Sequence, residues 1–540
     1  MKYAGWLVWA FFLVVVPLTI PVSVNAETGQ ELTLEKVKAA LPELEKIVEK
    51  TLKDSGIPGM AIAIVYKDQP IYLKGFGVRE AGKAEPIDTD TIFQIASMSK
   101  PIASTVLAVL AGEKVITWDD RIINLDPGFQ MYEPWVTQNV TLRDMFSHRS
   151  GLPEFAGDQL EDMGYDRGEI LRRLRYIKPG SSFRSHYAYT NFGITEAAVA
   201  AARAAGKPWE EIAAEKLYKP LGMNSTSSRF DDVVAAKNRA LLHVLIDGNW
   251  VVRDTRDADA QSPAGGVSST VHDLARWMRL QLGNGKLEGK QLIEADALAE
   301  THRPVIVSGA PADPGKDRAS LYALGWIVKY DDKGRVFLSH SGAFSSGAAT
   351  TVTLIPSEDL GITILTNAFP MGIPEALARC FIDLVHHGKV EKDWFTLFKQ
   401  AFEVILKDVA SNETDYPNPP AQPLPSLPAD AYIGTYRSKY FGDIRISITK
   451  GVLALQLGPK KTLYSLNHYD RDVFYFSEGE TATSLSGVFF QIGPDQKTAI
   501  AVVEALNANG QGVFIRVPTE RIRVTHSTSS GLRRAGYPKY

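Results

Sequence analysis

Residues 93–110 read FQIASMSKPIASTVLAVL. A serine, Ser97, and a lysine, Lys100, stand three positions apart, and Pro101 follows at once. Proline is tolerated in the first turn of a helix, where its missing N–H costs nothing. Ile102, Val106, Leu107, Val109 and Leu110 then carry an apolar helix onward. The stretch predicts a buried helix that starts at Ser97. Residues three apart share a helix face, which puts Lys100 beside the Ser97 hydroxyl. A hydroxyl is a poor nucleophile until a base takes its proton. A lysine in a dry pocket has a lowered pKa and can be that base. The helix N-terminus also favours the negative charge that develops on the oxygen.

Spacing alone does not decide the matter, because Ser447 and Lys450 repeat it on an alternating strand, where residues three apart face opposite ways. Two further motifs have the same ambiguity. In Tyr189-Thr190-Asn191 a phenol beside a lysine can share the base and acid roles, and the Asn191 amide can hold both the lysine and a substrate carbonyl. Its copy is Tyr416-Pro417-Asn418. In His340-Ser341-Gly342, at a predicted strand end, the glycine would let a substrate backbone lie along the strand edge. The amide of Ala343 could then form an oxyanion hole with that of Ser97. Its copy is His386-His387-Gly388, whose two histidines face apart on a helix and make no metal pair. Order and context discriminate. Ser97, Tyr189 and His340 fall on a helix start, a loop and a strand, while the copies run in reverse order through a helix end, a proline-rich linker and a barrel strand.

Around these motifs the chain alternates in type. Leu34, Val37, Leu41, Leu44, Ile47, Val48 and Leu52 recur at helical spacing. Strands are predicted over 60–66, 70–77, 322–330, 335–340, 348–354 and 360–365, and a helix over 373–386. The helical stretch lies between the second and third of these strands. The fold class is α+β: an antiparallel sheet that joins the two ends of the region, with a helical subdomain, plus a small C-terminal all-β barrel. Six prolines between 417 and 428 read as a semi-rigid spacer. Short alternating segments over 443–448, 452–457, 473–476, 487–492, 499–503 and 512–517 make the barrel. The expected divisions are a signal peptide over 1–26, a main domain over 27–410, a linker over 411–430, the barrel over 431–525 and a tail over 526–540.

A net charge of -3 on 540 residues argues against a nucleic-acid partner. The single cysteine, Cys380, excludes an intramolecular disulfide and a multi-cysteine metal site. Lys2, the apolar run from Trp6 to Ile20 and the small residues Val24 and Ala26 read as a cleaved export signal with no membrane span after it. The protein is expected outside the cytoplasm, periplasmic or secreted, with no cofactor or metal. A homo-oligomer is compatible with the sequence.

Seven stretches carry a family resemblance: FQIASMSK (93–100), MFSHRSGLP (145–153), YTNFG (189–193), PLGM (220–223), PAGGVSSTVHDLARWM (263–278), YALGW (322–326) and His340 to Gly342. Over about 55–386 the chain resembles the serine β-lactamase-like and penicillin-binding-protein-like hydrolases, in the branch of class C β-lactamases, D-aminopeptidases, D-alanyl carboxypeptidases and related esterases. The barrel is similar to a lipocalin-like domain appended to some of these peptidases, which can cap or narrow the active-site entrance. The resemblance implies a β-lactamase/transpeptidase-like fold, an acyl-enzyme on Ser97, and base and acid roles shared by Lys100 and Tyr189. It further implies substrate placement by Asn191 and an oxyanion hole from Ser97 and Ala343. Class C β-lactamases usually carry lysine where this chain has His340. A histidine is mostly neutral at pH 7, which points away from a dedicated β-lactamase. Ser341 could still bind a carboxylate or amide of a peptide. His148, in SHRSGLP, reads as a structural loop residue. The expected substrate is a short peptide, including D-residue or linearised cyclic peptides, cleaved at an amide. An esterase, a β-lactamase and a penicillin-binding protein that does not turn over are the alternatives.

Overall fold

The computed structural model describes residues 32–253, 255–410, 414–477 and 485–518. The expected signal peptide and tail lie outside the described residues. Helix α1 (Leu34–Ser55) begins after Thr33, whose hydroxyl accepts the Lys36 N–H, and ends at Gly56 in the left-handed region (φ 65). A hairpin of β1 (Gly59–Tyr66) and β2 (Gln69–Gly77) follows. Next comes the helical region, which includes α2 (Ser99–Gly112), α3 (Asp158–Asp162), α4 (Asn191–Ala204) and α5 (Val271–Leu282). The chain then returns through β3 (Ile306–Gly309), β4 (Ser320–Tyr322), β5 (Ile327–Tyr330), β6 (Val336–Phe344), β7 (Ala348–Ile355) and β8 (Leu360–Thr366). Helices α6 (Ile373–His387) and α7 (Trp394–Ala410) complete the region.

The eight strands form one antiparallel sheet in the order β2-β1-β8-β7-β6-β5-β4-β3. Pairing of β1 with β8 brings the two ends of the region together. Every residue of β1 is buried, because the sheet is covered on both faces. Met60, Ile62, Ile64 and Tyr66 pack with α1 and α6, while Ala61, Ala63 and Val65 face the core that contains α2 and α5. The strand period of two therefore separates two cores. Among the described residues no helix is long and apolar enough to cross a membrane.

The segment expected as one strand over 322–330 is two strands. Gly325 (φ 82) turns the chain between them, and the Ala323 N–H bonds the Trp326 carbonyl at 2.8 Å. A side chain on Gly325 would stand 2.9 Å from the Lys100 carbonyl, so this corner sits directly on α2. Strand β6 runs four residues beyond the expected end at His340, through Phe344.

The C-terminal unit is a nearly closed barrel of nine strands: β9 (Gly434–Ser438), β10 (Gly442–Thr449), β11 (Val452–Leu457), β12 (Thr462–Ser465), β13 (Asn467–Asp470), β14 (Val473–Ser477), β15 (Leu485–Ile492), β16 (Thr498–Val503) and β17 (Val513–Arg516). Their order is β12-β11-β10-β9-β17-β16-β15-β14-β13. Tyr432, Tyr436, Phe474, Phe490 and Phe514 fill its interior. The proline segment does not stand free as a spacer but is fastened along the barrel. Tyr416 is buried, donates to the Glu504 carboxylate at 2.6 Å and stacks on Tyr475, while the Leu424 N–H bonds Asp470 at 2.7 Å.

The barrel docks on the segment around α3. The Tyr440 hydroxyl accepts the buried Gly157 N–H at 2.8 Å, Tyr165 donates to the Phe441 carbonyl at 2.8 Å, and Gln159 donates to the Ala505 carbonyl at 2.6 Å. Tyr440→Phe would leave the Gly157 N–H without a partner, at a cost of about 1–3 kcal/mol. Scanning calorimetry should show a lowered melting temperature, and an unchanged one would mean that the contact does not hold the two units together.

Candidate active site

The side chains of Ser97, Lys100, Tyr189 and Asn191 meet at the bottom of a cleft of about 530 Å³, whose walls also include Asp158, His340 and Ala343. Ser97 lies in a single 3₁₀ turn (Ala96–Met98), and α2 proper starts two residues later than the sequence suggested, at Ser99. Ala96 is left-handed (φ 48), a conformation that costs a non-glycine residue about 1–3 kcal/mol. The surroundings hold it there. The Ser99 hydroxyl donates to the Ala96 carbonyl at 2.6 Å and accepts the Val267 N–H at 2.9 Å, and the Ile95 N–H bonds the Val267 carbonyl at 3.0 Å.

Lys100 is fully buried. Its Nζ lies 3.0 Å from Ser97 Oγ, 2.7 Å from Asn191 Oδ1 and 2.9 Å from the Ala264 carbonyl. Burial pulls its pKa down to about 7, against the opposing pull of the Asp158 charge. A neutral amine has two N–H donors and one lone pair. The two carbonyl oxygens take the donors, so the lone pair points at the Ser97 hydroxyl. Tyr189 donates to Ser97 Oγ at 2.7 Å, and its ring face lies beside Lys100, with Nζ 4.5 Å from the centroid. Burial raises the Tyr189 phenol above its ordinary value, partly offset by the Ser97 hydrogen bond. The amine is therefore the better base of the two, and the phenol is the proton donor.

Strand β6 forms the facing wall. Strand β5 begins only at Ile327, opposite Ser339, so among the described residues 340–344 have a neighbouring strand on the β7 side only. Gly342 is needed for a reason other than substrate access. A Cβ there would lie 2.1 Å from the Ile95 carbonyl and 2.9 Å from the Ser97 nitrogen, so glycine lets the nucleophile turn rest on the strand. The next residue, Ala343, is exposed.

His340 is buried and neutral, its pKa lowered to about 3 by burial and then by the Lys100 charge. A directed chain fixes its tautomer. The Thr190 N–H donates to His148 Nδ1 at 3.1 Å, so His148 Nε2 carries the proton and faces the Tyr322 hydroxyl at 3.3 Å. Tyr322 in turn reaches His340 Nε2 at 3.0 Å, and His340 Nδ1 donates to the Ser341 carbonyl at 2.7 Å. His148 thus acts as the structural loop residue expected, by bracing the Tyr189 loop. The Ser341 hydroxyl, expected to meet substrate, is engaged by Thr351 at 3.1 Å and by the Glu375 carboxyl.

The copies of the motifs lie elsewhere. Tyr416 is under the barrel, Ser447 pairs with Ala454 on a barrel strand, and His386 is held by Glu358 at 2.7 Å and by Arg335. Sequence reasoning missed Asp158, whose Oδ2 accepts from Asn191 Nδ2 at 2.8 Å, as well as Ser99, Tyr322 and the Ala264 carbonyl. The last three sit in or beside quoted stretches. Asp158 has no motif around it.

A family model described as β-lactamase matches residues 44–384. The chain belongs to the β-lactamase family. It is a serine hydrolase of that family, and a second model, for a domain of unknown function, covers 418–510 in the barrel. An unguisins hydrolase of Aspergillus campestris is 27% identical over 73% of this chain and 75% of its own length. Beta-lactamase-like protein 2 of Dictyostelium discoideum is 23% identical over 81% of this chain and 77% of its own. An octameric penicillin-binding protein homologue from Pyrococcus abyssi shares the fold, with a TM-score of 0.55 at 19% identity over 88% of this chain and 100% of its own.

Gly342→Ala should displace the nucleophile turn of this β-lactamase-family domain. A misplacement of about 1 Å can cost a hundredfold in rate. Ester hydrolysis by the folded variant should fall by about that factor, and wild-type kcat/KM would show that the turn does not depend on the close approach.

Proposed function

We propose that the enzyme cleaves amide bonds of short peptides through an acyl-serine intermediate. The observation that carries the reading is the buried Lys100 Nζ, 3.0 Å from Ser97 Oγ and otherwise enclosed by Asn191 and the Ala264 carbonyl, while Tyr189 donates to the same serine oxygen. Lys100 takes the Ser97 proton as Oγ adds to the carbonyl carbon. The N–H groups of Ser97 and Ala343 receive the oxyanion. Tyr189 gives its proton to the leaving amine as the C–N bond breaks, and recovers one from the Lys100 ammonium. Water then adds to the ester carbonyl, its proton passes through the same pair to Ser97 Oγ as the acyl C–Oγ bond breaks, and the acid departs from the restored Ser97. Neutral His340 supplies no cation for a carboxylate, which favours a peptide over a dedicated β-lactam substrate.

The relatives named as hydrolases support turnover rather than a stalled adduct. The leader sequence supports action outside the cytoplasm, and the octameric homologue makes self-assembly a fitting expectation. In this reading the barrel, taken as lipocalin-like, braces one wall of the cleft.

A panel of D- and L-aminoacyl amides and short peptides tests the reading, with nitrophenyl esters and a chromogenic cephalosporin alongside. Amide turnover is expected. Silence on every amide with brisk ester hydrolysis would make the enzyme an esterase instead. A fluorophosphonate should add its mass to Ser97, and Ser97→Ala should abolish the adduct.

Lys100 acts in its deprotonated form, so kcat/KM should rise with pH and level off above about 7. Lys100→Ala should lose about a hundred- to ten-thousandfold, the usual worth of a general base. A flat profile between about pH 5 and 9 would exclude an amine that titrates as burial dictates.

A further inference from the structure

The cleft does not end at the oxyanion hole. Ser345 and Ser346, in the turn between β6 and β7, line it and also line a second, larger groove of about 750 Å³. Its apolar walls are Val244, Leu245 and Ile246 of a hairpin (His243–Ile246 with Asn249–Val252), Phe369 and Met371 after β8, and Phe402 of α7. These walls are tied to the strand that holds Ala343. A Cβ on Gly347 would lie 2.2 Å from the His243 nitrogen, so the β6–β7 turn rests on the hairpin. The His243 carbonyl in turn accepts the Phe369 N–H at 2.9 Å. Lys399 and Glu403, which also line the groove, pair with each other at 4.0 Å. At the junction with the cleft, Ser346 Oγ is buried and has no hydrogen-bond partner among the described residues. Helix α7 lies beyond residue 384, where the match to the β-lactamase model ends, so this wall stands outside the part of the chain that the family shares.

The position of the proton donor decides which half of a substrate reaches the groove. Tyr189 protonates the leaving amine. Its ring lies against His148, with centroids 4.7 Å apart, and Tyr322 links His148 to His340. The leaving half therefore lies at the His340 end of the open edge of β6, and the acyl half runs from Ala343 the other way, past Phe344. An extended chain advances about 3.3 Å per residue, so about three residues carry the acyl half from Ala343 to the turn at Ser346. We propose that the groove is an acyl-side subsite for apolar residues three and four positions before the scissile bond, which makes the enzyme an endopeptidase of apolar peptides. The inference rests on the amide-cleaving reading above and names its substrate class. A peptide that passes the junction brings backbone N–H and C=O groups to the unpartnered Ser346 hydroxyl. The apolar side chains beyond it leave water for the valine, isoleucine, methionine and phenylalanine walls.

The test uses the full chain and three p-nitroanilides with glycine beside the scissile bond, so that handedness plays no part there: acetyl-Gly-Gly, acetyl-Ser-Ser-Gly-Gly and acetyl-Leu-Leu-Gly-Gly. The p-nitrophenyl esters of the same acids run alongside. Wild type should prefer the Leu-Leu compound to the Ser-Ser compound by about ten- to a hundredfold in kcat/KM, the worth of burying a large apolar side chain. The gain should lie chiefly in KM. Phe402→Asp puts a charge in the groove and should bring that ratio close to one, with the acetyl-Gly-Gly compound cleaved as before. Ile246→Asp, on the hairpin, should do the same and decides where the first variant does not fold. A wild-type ratio near one, or a ratio that a folded variant leaves unchanged, overturns the proposal. Decanoyl-Gly-Gly p-nitroanilide tests the other apolar occupant: if it outruns the Leu-Leu compound, the groove holds an aliphatic chain and the peptide assignment falls. Anilides cleaved without the preference defeat this inference alone. The preference seen with the esters, and no anilide cleaved, defeats the amide-cleaving reading and leaves the subsite standing. Turnover of none of the compounds overturns both.

Discussion

A lysine amine held dry between two carbonyl oxygens and a serine hydroxyl is the constraint on which the rest of the structure turns. An unpaired ammonium in such a place would be several kcal/mol too costly, so burial draws the pKa of the group down to about 7, where loss of its proton comes easily. Each side of its box comes from a distant part of the chain. Helix α2 carries Lys100, α4 contributes Asn191, the Ala264–Val267 segment supplies a carbonyl, and the corner at Gly325 presses on the Lys100 backbone. The box is closed by the tertiary fold, and the chemistry of the amine is a consequence of that closure.

The nucleophile is positioned by close backbone approach as much as by hydrogen bonds. Ala96 holds a left-handed turn, Ser99 ties that turn to Val267, and Gly342 lets it rest against β6. The Thr350 hydroxyl donates to the Ile95 carbonyl at 2.8 Å and joins β7 to the same turn. Because β6 has no neighbour on one side beyond Ser339, its outer edge stays open to an extended ligand. Covering that edge with another strand would have closed the cleft.

Much of this was legible in the sequence because it is local. The Ser97–Lys100 spacing, the helical period of α1 and the glycine after His340 each declare their geometry within a few residues. What was not legible depends on contacts far apart in the chain. Asp158 is marked by nothing around it, and its meaning comes from Asn191, 33 positions later. The break at Gly325 hides in a run that reads as one strand, since either side of it is apolar. Strands β12 and β13 are short and largely exposed, with no alternation to reveal them. The Ser341 side chain was assigned to the substrate because its strand position fits, but only the fold shows that Thr351 and Glu375 stand behind it.

The barrel belongs to this argument rather than beside it. Asp158 opens α3, and the backbone of that short helix is anchored on its other side by barrel groups: Tyr440 on the Gly157 N–H, the Ala505 carbonyl on Gln159, and Lys460 on the Asp162 carbonyl at 3.2 Å. A five-residue helix has too few internal hydrogen bonds to hold its own position. Its place in the cleft wall is therefore set by packing between the two units. The side chain that reaches Asn191, and through it the catalytic amine, stands on a support that the β-lactamase-family domain does not supply alone. The aromatic interior of the barrel is filled, which suits a brace that must not deform. The second unit is thus mechanically part of the site even though, among the described residues, it places no side chain along the cleft lining.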